Sequence, residues 1–333
     1  MKVIIPGGSG QVGMILSRTF AAEGHEVVIL SRGACNSAVR VVRWDAETIG
    51  PWADELDGAD VVINLAGRSV NCRYTTANRR EITESRVKST AVVGQAIANA
   101  RRPPRVWLQS STATIYAHRY DAANDEATGI LGGAEDGAPD TWRFSVEVAK
   151  AWERAANEAA VPRTRKVLLR SAMIMSPDRG GVLDVLLGLV RWGLGGTNGD
   201  GRQYVSWIHD VDFVRAVRWL IDHELDGVVN LASPNPVPNA DFMRGLREAW
   251  GTRLGLPATR SMLELGAILL RTETELILKS RRVVPGRLLN SGFTFQFPDW
   301  PGAAVDLCRR WREANGHVAK SAEPGGAPDR RTT

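Results

Sequence analysis

The sequence predicts an α/β protein: a doubly wound parallel sheet with a smaller, mostly helical C-terminal region. Two observations predict it. The chain opens on a short apolar run, Val3-Ile4-Ile5, that breaks into Pro6-Gly7-Gly8-Ser9-Gly10-Gln11-Val12-Gly13 and then into a helical pattern. Further apolar runs recur behind it, separated by helical stretches, which is the spacing of crossover units.

The first strand has no polar alternation, as expected of a strand buried on both faces. Val12, Ile15, Leu16, Thr19 and Phe20 form one helical stripe, and Val27-Val28-Ile29-Leu30 makes the second strand. This strand–helix–strand unit is the context a G-x-G-x-x-G motif needs to bind a dinucleotide. Gly7 allows the turn, Gly10 lets backbone approach a pyrophosphate, and Gly13 lets the helix pack close. Ser9, Gln11 and Val12 lie in the same loop, and the helix N-terminus favours phosphate. The second strand ends Leu30-Ser31-Arg32, with no acid for a ribose 2′-hydroxyl. Ser31 and Arg32 suit a 2′-phosphate, so the expected cofactor is NADP(H).

The third strand, Val39–Trp44, ends in Asp45, and the fourth, from Val61, ends in Leu65, Ala66 and Gly67. Small residues there leave room for a ligand; Asp45, Leu65, Ala66 and Gly67 join the expected cofactor site. A helix over Thr76–Asn99 carries Arg86, also assigned to that site or to an anionic group beside it. Arg105–Gln109 is the fifth strand, Trp142–Ala160 a helix and Lys166–Arg170 the sixth strand. Glycines crowd 171–202, which reads as neither clean helix nor strand. The chain returns to the sheet at Val211–His223 and Val228–Leu231, with Asp210 as N-cap. Pro236 to about Asn315 is mostly helical, with one strand near Phe293–Phe297. The expected division is a dinucleotide domain of 1–170 plus about 203–233, a substrate-covering region of 171–202 plus 234–315, and a disordered tail of 316–333.

Composition narrows the function classes. Of 333 residues, 44% are hydrophobic and 24% charged, and the net charge is +5, which are globular values. The basic residues are scattered arginines with only six lysines, so nucleic-acid binding is not expected. Cys35, Cys72 and Cys308 fit no metal or disulfide pattern, and no run suggests a membrane span. A cytoplasmic protein acting on a small-molecule substrate is expected, with a homodimer allowed and no metal.

Several stretches resemble the extended short-chain dehydrogenase/reductases, the NAD(P)-dependent epimerase/dehydratase family, and within it an epimerase-like branch. They are Asn64-Leu65-Ala66-Gly67, Glu84-Ser85-Arg86-Val87-Lys88-Ser89-Thr90, Ser206-Trp207-Ile208-His209, and Arg282 to Leu289 with Gly292-Phe293-Thr294-Phe295. The resemblance implies a Rossmann domain binding NADP beneath a C-terminal helical region. It also implies a Tyr-x-x-x-Lys pair, and none of the four tyrosines has Lys four residues on. Ser145 and Ala149 stand where that pair would be.

Other groups must then move protons. Ser111 matches the family's Ser/Thr position, Tyr116 and His118 follow in the same loop, and Glu126 comes next as an orienting group or base. His209-Asp210 reads as structural, and Trp192 and Trp207 as lining an apolar pocket. Three readings follow: an NADP(H)-dependent oxidoreductase or epimerase-like enzyme acting on a carbonyl or hydroxyl compound, a catalytically silent NADP-binding sensor or scaffold, and a non-redox lyase or isomerase.

Overall fold

The computed structural model describes residues 1–259 and 275–321. Its elements run β1 (Lys2–Pro6), α1 (Gln11–Ala22), β2 (Glu26–Ser31), β3 (Arg40–Arg43), β4 (Val61–Asn64), α2 (Thr76–Asn99) and β5 (Val106–Thr112). Then come α3 (Asp140–Glu158), β6 (Arg165–Ser171), β7 (Met173–Met175), α4 (Val182–Arg191), β8 (Tyr204–Val205), β9 (Trp207–His209), α5 (Asp210–Asp222), β10 (Gly227–Leu231), β11 (Val237–Pro238) and α6 (Asn239–Trp250). Helices at Glu275–Leu278, Gly286–Asn290 and Trp300–Ser321 follow.

The seven-stranded sheet has the order β10-β6-β5-β4-β1-β2-β3, and every pairing in it is parallel. Both faces are buried. Val3, Ile5, Ile63 and Leu108 pack with Leu16, Phe20, Phe213 and Val217 on one side. Ile4, Val28, Val62 and Leu168 pack with Val93, Ile97 and Trp107 on the other. That two-sided burial is why the strands show no polar alternation. Strand order reverses between β1 and β4, so the crevice outside their carboxyl ends is where this topology binds ligands.

Several details depart from the sequence expectation. The glycine-crowded stretch contains α4, whose Leu183, Leu187 and Val190 enter a third core with Met175, Phe242, Leu246 and Leu307. Phe293–Phe297 is not a strand; its amides at Gln296 and Phe297 donate to the Asp212 carboxylate at 2.8 and 2.7 Å instead of to a neighbouring strand. The cap of α5 is His209, not Asp210: His209 Nδ1 accepts from the Val211 amide at 3.2 Å. Its ring is fully buried, stacked on Phe297 at 3.8 Å, with Nε2 3.2 Å from Asp306. Arg310 clasps Asp210 with two 2.8 Å bonds beside it. Trp192 is 85% exposed, and Trp207 lies in the third core against Trp300. The last helix reaches Ser321, beyond the expected end of order at 315. The rest of the expected tail, 322–333, lies outside the described residues.

Candidate functional site

A cavity of about 450 Å³ opens at the crevice between β1 and β4. Nine residues assigned to a cofactor from sequence line it: Gly7, Ser9, Gly10, Ser31, Arg32, Asp45, Leu65, Ala66 and Gly67. Gly7 has φ +75°, and a Cβ there would stand 2.7 Å from the Ala66 backbone, so β1 and β4 meet too closely for a side chain. A Cβ on Gly10 would meet only the Gly7 carbonyl, at 3.7 Å, which leaves its face open toward a ligand. Gln11, Val12 and Gly13 sit behind the lining. Gln11 Nε2 is buried with no hydrogen-bond partner among the described residues, an orphan donor at the start of α1. These features fit a pyrophosphate held by amides at the head of α1.

The glycines make a contrasting pair of predictions. A Cβ on Gly13 would lie 2.4 Å from the Gly8 backbone, so Gly13→Ala must push α1 off the loop. We expect a loss of about 1–3 kcal/mol in urea unfolding. Gly10→Ala is expected to keep stability and lose dinucleotide affinity. Equal stability of the two variants would contradict the packing role of Gly13.

Acids around the cavity are occupied. Glu47 and Glu84 hold Lys88 at 3.3 and 3.1 Å, and Glu81 pairs with Arg68. Thr48 hydroxyl and the amides of Thr48 and Glu47 hydrogen-bond Asp45 and pull its pKa down to about 2. Ser31 is buried, with its hydroxyl 3.1 Å from that of Ser9, which ties β2 to the glycine loop. Arg32 has no ion-pair partner among the described residues.

Of the expected proton-handling residues, Ser111, Tyr116 and Glu126 meet in one buried network through Glu153, Arg170 and Asn230, while His118 bonds elsewhere. Ser111 turns toward α3 and donates to Glu153 Oε1 at 2.6 Å. Arg170 holds the same carboxylate through two 2.8 Å bonds and donates to the Tyr116 hydroxyl at 3.0 Å. Tyr116 in turn donates to Asn230 Oδ1 at 2.9 Å. All five side chains are buried, and burial raises the Tyr116 pKa. In this structure both Ser111 and Tyr116 donate their hydroxyl protons within this network. Glu126, its pKa raised by burial, accepts the Asn230 amide at 2.7 Å and the Arg287 amide at 3.2 Å. His118 Nδ1 accepts the Ser280 amide at 2.8 Å, and its pKa is lowered by burial and then by Lys279.

A different cluster gathers over α3. Half-buried Ser145 donates to Glu275, which is 1% exposed and paired with Arg281 at 3.2 Å. Burial raises the Glu275 pKa against the pull of Arg281. Lys279 donates to the Thr114 carbonyl at 2.8 Å, and burial draws its pKa down to about 8. Glu275 and Arg281 lie 130 and more residues after Ser145, with no local motif in the sequence to announce them. Among the described residues, no group of three or more His, Cys, Asp or Glu could hold a metal, and no helix is long and apolar enough to cross a membrane.

This geometry has relatives. Residues 3–132 match the model of the NAD-dependent epimerase/dehydratase family, and residues 259–307 match a domain of unknown function (DUF1731). The epimerase family protein SDR39U1 of Bos taurus is 30% identical over 314 residues, which span 92% of this chain and 98% of that protein. The chain belongs to the NAD-dependent epimerase/dehydratase family. The epimerase family protein YfhF of Bacillus subtilis is 29% identical over 313 residues, covering 92% of this chain and 98% of that one. The crystal structure of human SDR39U1 (isoform2) with NADPH superposes with a TM-score of 0.80 at 28% identity, over 93% of this chain and 99% of that chain. The seven-stranded Rossmann sheet and its helical C-terminal region are thus the architecture of this family.

Proposed function

We propose that the protein is an NADP(H)-dependent oxidoreductase or epimerase-like enzyme that acts on a small carbonyl or hydroxyl compound without the Tyr-x-x-x-Lys pair. The observation that carries the reading is the Ser145–Glu275–Arg281 cluster, an ionisable set over α3 in a chain that also has an intact dinucleotide crevice. A buried carboxyl with a raised pKa that accepts a hydrogen bond from a half-buried serine is the arrangement a proton-transfer site needs. In this reading Ser145 meets the substrate oxygen and Glu275 exchanges a proton with the Ser145 hydroxyl. Arg281 sets the position of the Glu275 carboxylate, and Thr114 anchors Lys279 alongside. The bound dinucleotide supplies the hydride donor or acceptor. Gly7, Ser9, Gly10, Gln11 and the head of α1 hold its pyrophosphate, while Leu65, Ala66 and Gly67 floor the crevice.

Ser31 and Arg32 select the phosphorylated coenzyme. The lack of an acid after β2, an Arg32 with no ion pair among the described residues and the NADPH in the human SDR39U1 structure support this choice. Removing a charge-assisted pair to a phosphate costs about 1.5–3 kcal/mol. Arg32→Asp is therefore expected to weaken NADPH binding by roughly tenfold or more, while NADH binding changes little. Calorimetric dissociation constants for both coenzymes check it, and tighter NADH than NADPH binding by the unaltered protein would refute the choice. The function itself is tested by screening carbonyl compounds for loss of NADPH absorbance. Tight NADPH binding with no turnover of any carbonyl or hydroxyl compound would leave a binding protein.

A further inference from the structure

We propose that the exposed face of α4 pairs with the same face of a second copy of the chain, giving a two-fold dimer built on an antiparallel α4–α4 contact.

α4 is apolar on two sides. Leu183, Leu187 and Val190 enter the third core, while Val182, Val185, Leu189 and the capping Trp192 form a second stripe that faces outward. Trp192 is 85% exposed and Val185 61%. Leu194, Leu254 and Leu256 carry the apolar surface past the helix end, each at least half exposed. Backbone bonds hold the two strands of this extension together: the Leu256 amide donates to the Gly193 carbonyl at 2.7 Å, and the Gly196 amide to the Leu256 carbonyl at 3.2 Å. With ~150–250 Å² for a whole large side chain, the exposed fractions amount to roughly 700 Å² of apolar surface. That exceeds the ~300–600 Å² of the largest patch on a typical monomer and approaches the ~800 Å² that each partner gives to a stable interface.

The spacing of the stripe points to a second copy as its occupant. Its positions are three, four and three residues apart, an order unchanged when read backwards. An antiparallel copy therefore sets Trp192 against Val182 and Leu189 against Val185 in both directions at once, which is the self-complementarity a two-fold axis requires. In each pair the larger side chain meets the smaller. Gly188, beside the axis, has open space where a Cβ would stand, so the two helices can approach closely. No charge on α4 is stranded by the contact. Its two charged residues turn toward the last helix: Asp184 accepts from Trp311 Nε1 at 2.9 Å, and Arg191 lies 5.2 Å from the Trp311 ring centroid. A lipid surface draws on a basic face beside the apolar one, and the arginine of α4 is spent on that ring.

The test is sedimentation equilibrium of the full chain from micromolar to hundreds of micromolar concentration. The parent is expected to form a dimer, and Trp192→Glu to raise its dissociation constant about thirtyfold or more. Val185→Lys should act likewise. Val185→Lys with Leu189→Glu in the same chain should recover part of the loss, because the antiparallel register sets each new lysine opposite a new glutamate of the other copy. All of these side chains are exposed, so thermal unfolding at a dilution where every variant is monomeric should match the parent. A parent that stays monomeric throughout would overturn the proposal, and so would a dimer that survives both single changes, since its interface would lie elsewhere. Loss of the dimer in both single variants with no recovery in the double one would overturn the antiparallel register. A monomeric parent that binds phosphatidylglycerol vesicles through Trp192 would give this face to lipid instead.

Discussion

Arg170→Met is expected to lower the free energy of unfolding by about 3–5 kcal/mol, because it strands the Glu153 carboxylate in the core. Arg170 and Glu153 are 7% and 8% exposed, and their two 2.8 Å bonds form a bidentate pair. Burial alone would lower the Arg170 pKa, but the bonds and charge of Glu153 outweigh it and hold it above the ordinary value. Methionine fills similar volume without the charge, so the loss reports the abandoned carboxylate more than a cavity. Glu153→Gln added to Arg170→Met should recover part of the loss, because the amide oxygen still accepts from Ser111 and no charge remains. Urea unfolding of the two single variants and the double one gives the coupling directly. A loss under 1 kcal/mol from Arg170→Met would mean that the network is not closed in solution. Ser111 and Tyr116 would then be available to a ligand after all.

That network explains why the loop after β5 is only half legible in the sequence. Ser111 and Tyr116 read as site residues because a hydroxyl at the end of a central strand is well placed for chemistry. Sequence shows the hydroxyls but not their partners. Glu153 lies 42 residues from Ser111, and Asn230 lies 114 residues from Tyr116. The glycine loop was legible because its constraint is local: Gly7, Gly10 and Gly13 act on backbone within a few residues. The strands were legible for the same reason, since burial on both faces leaves continuous apolar runs. Phe293–Phe297 imitated such a run, and only a carboxylate on α5 shows that its amides are satisfied elsewhere. In 171–202 the glycines outweighed a helical spacing at Leu183, Leu187 and Val190 that was there to be read. Ser145 was legible as the place of a missing tyrosine, whereas Glu275 comes from a region that topology alone brings over α3.

Glu275→Gln is expected to reduce turnover of a carbonyl substrate by about 10²–10⁴, the usual range for removing a positioned proton donor. The amide keeps the hydrogen bond with Ser145, so a purely packing role predicts little kinetic change. Arg281 loses its ion pair with Glu275, so thermal unfolding and NADPH affinity must be read alongside; a folded variant that binds NADPH normally isolates the chemical effect. The pH profile separates the roles further. In carbonyl reduction Glu275 must carry the proton, so the parent's rate falls as pH rises through a pKa that burial has lifted above 4.5. In the reverse direction the same limb is inverted, because the carboxylate must then accept. Stability follows the same group: a carboxyl with a raised folded pKa contributes below its unfolded pKa, and that contribution is lost as pH rises through the folded value. Glu275→Gln should flatten both the kinetic limb and this slope. A flattened stability slope with unchanged turnover would make Glu275 a buried ion-pair partner of Arg281 and nothing more, and the proton would have to come from another group around Ser145.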